Sequence, residues 1–125
     1  METITLMSFG FLYGLPQNAD SVIDVRGLKN PYYIPELKEK SGLDQEVRDY
    51  IFSFPESKEY LSAILQMLRV RLRLFAQWDS PTRHPLTVAI GCSGGKHRSV
   101  TMTLAIAAAL QQEGYQVEVI HRDLK

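Results

Sequence analysis

A chain of 125 residues, 45% of them hydrophobic and 22% charged, has the size and make-up of one globular domain that buries its own core. Lys+Arg and Asp+Glu both number 14, so no net charge draws it toward nucleic acid or an anionic membrane. A single cysteine excludes an internal disulfide and predicts a reducing, cytoplasmic setting, and no apolar run approaches the ~18 residues of a membrane span.

The N-terminal METITLMSFGF lacks a basic stretch and a long apolar run, so it does not read as a signal peptide. TITLMSF (3–9) alternates with period two and predicts a strand. YGLPQNADS (13–21) is a loop, rich in Gly, Pro, Asn and Asp. SVIDVR (21–26) is β-branched and predicts a second, more buried strand. Residues 27–42 hold two prolines and two glycines and predict a long irregular segment, a feature often tied to function.

LDQEVRDYIFS (43–53) predicts a helix with Asp44 near its start and Pro55 breaking it. Residues 57–78 form the longest helical pattern. Ser57 is its expected cap, and Leu61, Ile64, Leu65, Leu68, Leu72 and Phe75 form its apolar stripe. DSPTRHP (79–85) ends that helix. LTVAIGC (86–92) predicts a buried strand, and residues 98–114 a helix apolar almost all round with Gly114 just past its end. YQVEVIHR (115–122) predicts the last strand. The order β, β, α, α, β, α, β implies an α/β domain with a small, mostly parallel four-stranded sheet and helices on both faces.

Between the third strand and the following helix stands IGCSGGKHRSV (90–100). A helix N-terminus offers unpaired N–H groups and the positive end of its dipole, and glycines let a ligand approach the backbone. Lys96, His97 and Arg98 add cationic donors; Ser93 and Ser99 add hydroxyls. Glycines, helix start and cations coincide, which favours a phosphate or phosphorylated small molecule over a plain strand-to-helix turn. No metal or cofactor is expected.

The loop is not a Walker A motif: the spacing from Gly91 to Gly95 is one residue short, and His97 replaces the magnesium-binding hydroxyl. Cys92, Arg98 and Ser99 do meet the Cys-x5-Arg-Ser spacing of tyrosine phosphatases, which leaves a cysteine-dependent phosphatase as the alternative. Gly91 stands where those enzymes carry histidine. The HRDLK ending opens like a protein-kinase catalytic loop but lacks the downstream Asn and the upstream glycine-rich loop.

Ligands of parallel sheets bind beyond the strands' carboxyl ends, which places Asp24 and Arg26 beside His97 and Arg98. Arg98 is expected to hold two phosphate oxygens, His97 to be protonated beside them, and Asp24 to meet a ligand ammonium or to pair with an arginine. Asn30, Tyr32 and Tyr33 can close over such a ligand. Arg69 and Arg73 share a helix face, with Arg71 near, and form the candidate RNA contact against the commoner solvated face. His84 reads as a loop residue.

SFGFLYGLPQNADSVIDVRGLKNPYYIPELKEKSGLD, TVAIGCSGGKHRSV and HRDL together resemble the RapZ C-terminal domain family over about Thr5 to Leu124. The resemblance implies a non-catalytic α/β domain that binds an amino-sugar phosphate, glucosamine 6-phosphate. It also implies a role in small-RNA recognition and RNase recruitment, and self-association. Carried over by position, its pocket uses Asp24, Ser93, Gly94, Gly95, His97 and Arg98. Ser93 stands where many members have Thr, and Tyr32 where some have His.

Overall fold

The computed structural model describes residues 3–78 and 84–125. Four strands, β1 (Thr3–Gly10), β2 (Ser21–Asp24), β3 (Leu86–Cys92) and β4 (Gln116–His121), form one sheet in the order β2-β3-β1-β4, all parallel. Three helices, α1 (Gln45–Phe52), α2 (Pro55–Ala76) and α3 (Arg98–Gln112), connect the later strands. The expected β-α-β unit is present as β3-α3-β4, with β1 lying between its two strands. Residues 27–42 stay irregular apart from a single 3-10 turn at Pro31–Tyr33.

The expectation of helices on both sheet faces is corrected. Ile4, Leu6, Leu86, Val88 and Ile90 are fully buried on one face, in a single core with Leu68 and Leu72 of α2 and Met102, Ile106 and Leu110 of α3. The opposite face carries the row Val22, Ala89, Met7, Ile120, whose outer members are exposed. Topology gives the reason. The β2-to-β3 and β3-to-β4 connections cross the sheet in the same direction, so right-handed crossovers put their helices on one face. The β1-to-β2 connection runs the other way but contains only residues 11–20, with a 3-10 turn at Phe11–Tyr13 and no α-helix.

Pro55 does not merely end α1. It is the first residue of α2, where its missing N–H costs nothing, with Phe54 as the N-cap residue. Ser57 is therefore not a cap; it is buried inside the first turn. The DSPTRHP stop falls mostly on residues 79–83, outside the described residues. Gly114 adopts φ 97° just past α3, as a C-terminal glycine should.

Candidate functional site

The loop 93–97 joins β3 to α3 at the carboxyl edge of the sheet. Gly95 has φ +74°, and a Cβ there would lie 2.7 Å from the Gly10 nitrogen. A Cβ on Gly10 would lie 2.6 Å from the Gly94 carbonyl carbon. Backbone thus packs on backbone, and the loop sits directly on the end of β1. Asp123 holds that end by accepting the Gly10 N–H at 2.8 Å, and Arg122 steadies Asp123 at 2.9 Å while donating to the Gly14 carbonyl. The HRD stretch is a brace for the loop.

Among the described residues, the N–H groups of Gly94, Lys96, His97 and Arg98 donate to no carbonyl or side chain. They lead into the first turn of α3, where the dipole is positive. Gly94 has no atom within 4 Å of an added Cβ, so the backbone there is open.

Arg98 is only 5% exposed. Its Nη1 donates to the carbonyls of Arg26 and Leu28, and its Nη2 to Ser93 Oγ at 3.3 Å. Its Nε is buried and has no partner. Arg98 therefore serves first as a clamp between α3 and the exit of β2. Lys96 and His97 make the same kind of contact further along: Lys96 Nζ donates to the Lys38 carbonyl at 3.3 Å, and His97 Nε2 lies 3.2 Å from the same oxygen. The Gly42 N–H closes the set on the Lys96 carbonyl at 2.9 Å. The irregular segment 26–42 is strapped to the loop by the loop's own cations.

Cys92 is buried behind the loop with Sγ 3.2 Å from Ser99 Oγ. Burial pushes its thiol up. The Ser99 hydroxyl and N–H, the Gly95 N–H and the Arg98 charge outweigh that and hold it below the ordinary thiol value.

A cleft of about 540 Å³ opens over the loop. Cys92, Ser93, Gly94, Lys96, His97 and Arg98 line one side; Leu12 and Tyr13 from the exit of β1, and Asn30, Tyr32, Tyr33, Lys38 and Glu39 from the strap, line the rest. Lys38 Nζ stands 4.8 Å over the Tyr32 ring. The result is a polar floor of free amides under aromatic walls.

A profile of the RapZ C-terminal domain matches residues 2–125. The chain belongs to the RapZ C-terminal domain family. It is 48% identical over 121 residues to a nucleotide-binding protein of Clostridium novyi, covering 97% of this chain and 40% of that protein. It is 45% identical to one from Lachnoclostridium phytofermentans (98% of this chain, 42% of that protein) and 45% identical to one from Streptomyces coelicolor (96% and 39%). The chain thus spans about two fifths of the length of these relatives.

Of the residues singled out in the sequence, this RapZ C-terminal domain brings Tyr32, Ser93, Gly94, Lys96, His97 and Arg98 to one cleft. Gly95 and Ser99 lie behind its floor and hold Cys92. Asp24 and Arg26 stand outside it. They form a bidentate pair, Arg26 Nε to Oδ1 at 3.0 Å and Nη2 to Oδ2 at 2.9 Å, and Arg26 stacks on the Phe11 ring at 3.9 Å. The Arg26 side chain, against the smaller cost of burial, holds the Asp24 carboxyl below its usual range. Arg69 is bound to Glu113 at 2.8 Å, whereas Arg73 is exposed. Leu12, Tyr13, Lys38 and Glu39 were not singled out in the sequence; for Leu12 and Tyr13 the signal was their position just past β1, at the strand edge where ligands bind.

His97 is 5% exposed, and burial, then Lys96, push its pKa below the ordinary 6.5. Burial does the same for His121, whose Nδ1 lies 2.6 Å from Ser8 Oγ. A histidine depressed in the fold takes up its proton later than in the unfolded chain, so its stabilisation is complete above pH 6.5 and declines below it. Asp24 and Asp123 are depressed carboxylates, and they lose their contribution only at still lower pH. The melting temperature should therefore fall between pH 7.5 and 5.5, and His97→Gln with His121→Gln should flatten that slope in thermal melts.

Proposed function

We propose that this RapZ C-terminal domain is a regulatory, non-catalytic module that binds a phosphorylated metabolite in the cleft over residues 93–98. The carrying observation is the four free N–H groups of Gly94, Lys96, His97 and Arg98 at the start of α3. A phosphate accepts from all of them at once and brings charge to the positive end of the helix. The Lys96 and Arg98 side chains line the same cleft, and the buried Arg98 Nε has no partner of its own. The aromatic walls, Tyr13, Tyr32 and Tyr33, suit a ring attached to that phosphate.

An amino-sugar phosphate such as glucosamine 6-phosphate is the ligand the family resemblance favours. Its ammonium needs a carboxylate. Asp24 is the family's candidate, and it reaches a ligand by exchanging its Arg26 contact. Glu39 already lines the cleft. Nucleotides belong in the same screen, because the longer relatives carry the name nucleotide-binding protein. An adapter role toward a small RNA and an RNase belongs to the same regulatory reading. For RNA it leaves Arg73 exposed and Arg69 held by Glu113.

Isothermal titration tests the proposal. The domain should bind glucosamine 6-phosphate more tightly than glucose 6-phosphate, by about tenfold or more for one charge-assisted contact. Asp24→Asn should erase that preference while leaving glucose 6-phosphate nearly unchanged. Equal losses for both sugars would make Asp24 an internal partner of Arg26. Absence of heat with every phosphorylated ligand at millimolar concentration would remove the proposal.

A further inference from the structure

The strap and α1 share a small core of their own, Leu37 with Val47 and Ile51, separate from the core under the sheet. What joins the strap to the loop 93–97 is polar, and His97 stands at that joint. Its backbone N–H is one of the four amides that open α3. Its ring lies against the strap, with Nε2 3.2 Å from the Lys38 carbonyl. A carbonyl only accepts, so Nε2 carries a hydrogen, and Nδ1 of the neutral ring has only a lone pair to offer. The Leu37 and Lys40 carbonyls also border the ring and, with that of Lys38, favour its charged form. A doubly protonated ring donates from both nitrogens, which suits such a set of acceptors. Two things oppose the proton: burial first, then the neighbouring Lys96 ammonium.

The other charged groups on these elements leave that balance alone. Arg98, at the start of α3, is committed to the Arg26 and Leu28 carbonyls. Lys38 stands over the Tyr32 ring, and Lys40 pairs with Glu46 of α1 at 2.7 Å. Asp44 and Arg48 are bound to the backbone of Ser41, Gly42 and Leu43. Glu39 lies 4.0 Å from Lys96, with its side chain 86% exposed. Among the described residues no carboxylate bonds to the His97 ring. A phosphate on the four amides supplies the missing negative charge and offsets Lys96.

We propose that His97 is a proton-fed latch between ligand and strap: an oxyanion seated at the start of α3 brings a solvent proton onto the His97 ring, and the imidazolium grips the Leu37, Lys38 and Lys40 carbonyls, so that binding fastens the strap beside the cleft. The latch rests on the phosphate seat proposed above. Coupling of this kind is reciprocal, so acid favours anion binding as much as the anion favours the proton.

Sulfate is the probe, because it has no proton to exchange near neutral pH, with glucosamine 6-phosphate alongside. Isothermal titration at pH 7 in buffers of different ionisation enthalpy should show uptake of about 0.3 proton or more per bound sulfate. Sulfate affinity should rise about fivefold or more from pH 8 to pH 6. His97→Gln keeps the backbone N–H and a side-chain donor; it should still bind sulfate, take up no proton and lose the pH dependence. Amide hydrogen exchange reads the strap. The Lys38, Lys40 and Gly42 N–H groups, bonded to the Ile34, Leu37 and Lys96 carbonyls, should slow about tenfold on binding in the parent and not in the variant. Heat without proton uptake, uptake that persists in His97→Gln, or strap exchange that slows equally in both proteins would overturn the latch and leave the ligand seat standing. Absence of binding by sulfate and sugar phosphate alike would remove the seat itself, and the latch with it.

Discussion

Arg98→Ala is expected to lower the melting temperature by about 12 °C, from a loss of about 3 kcal/mol, and to remove phosphate binding altogether. The side chain is 5% exposed and ties three groups together: the Arg26 and Leu28 carbonyls and the Ser93 hydroxyl. Truncation leaves those acceptors in a poorly solvated place and opens a void at the first turn of α3. It also frees the strap 26–42 at its beginning, so Tyr32 and Tyr33 lose their fixed place over the loop. Arg98→Lys restores the charge but only a point donor, and should recover part of the stability and little of the binding. Thermal melts and titration of the same three proteins separate the two effects. An Arg98→Ala variant that melts like the parent would show that the clamp is ornamental.

A pair of neighbouring glycines gives the second large contrast. Gly95→Ala forces a residue with a side chain into φ +74° and drives a Cβ to 2.7 Å from the Gly10 nitrogen. Neither backbone can yield without moving β1, so a loss of about 3 kcal/mol or more is expected. Gly94→Ala meets nothing within 4 Å and adopts no left-handed angle. It should melt within a degree or two of the parent. Yet its new methyl group stands on the backbone where the phosphate is proposed to settle, so affinity should fall about tenfold. Stability lost at one position and binding lost at the next distinguishes a structural turn from a ligand seat. A Gly94→Ala protein with full affinity would place the ligand elsewhere.

The parts of this domain that show in its sequence are those set by local rules. Each strand has its period or its β-branched run, Gly114 marks the end of α3, and the glycine-rich loop announces itself between a strand and a helix. One feature depended on long-range placement. The one-sided stacking of the helices follows from strand order, which no local pattern carries. For Asp24 the sequence left a ligand ammonium and an arginine partner both open; Arg26 curls back along its own backbone and takes the carboxylate from two residues away. The cations of the loop show a related limit: their identity predicts anion affinity, but the carbonyls of Arg26, Leu28 and Lys38 that occupy them come from a segment with no regular structure. Pro55 was legible as a punctuation mark, though not as the opening of α2 rather than only the close of α1.

The phosphate is proposed to sit on the amides that open α3. Amide-resolved NMR titration tests it most directly, because it reads each N–H separately. Adding glucosamine 6-phosphate, with inorganic phosphate in parallel, should move the signals of Gly94, Lys96, His97 and Arg98 first and furthest, downfield as each gains an acceptor, with Tyr32 and Tyr33 following for the sugar only. Unchanged signals for those four amides at saturating ligand, or the largest shifts on α2 or the far face of the sheet, would contradict the account.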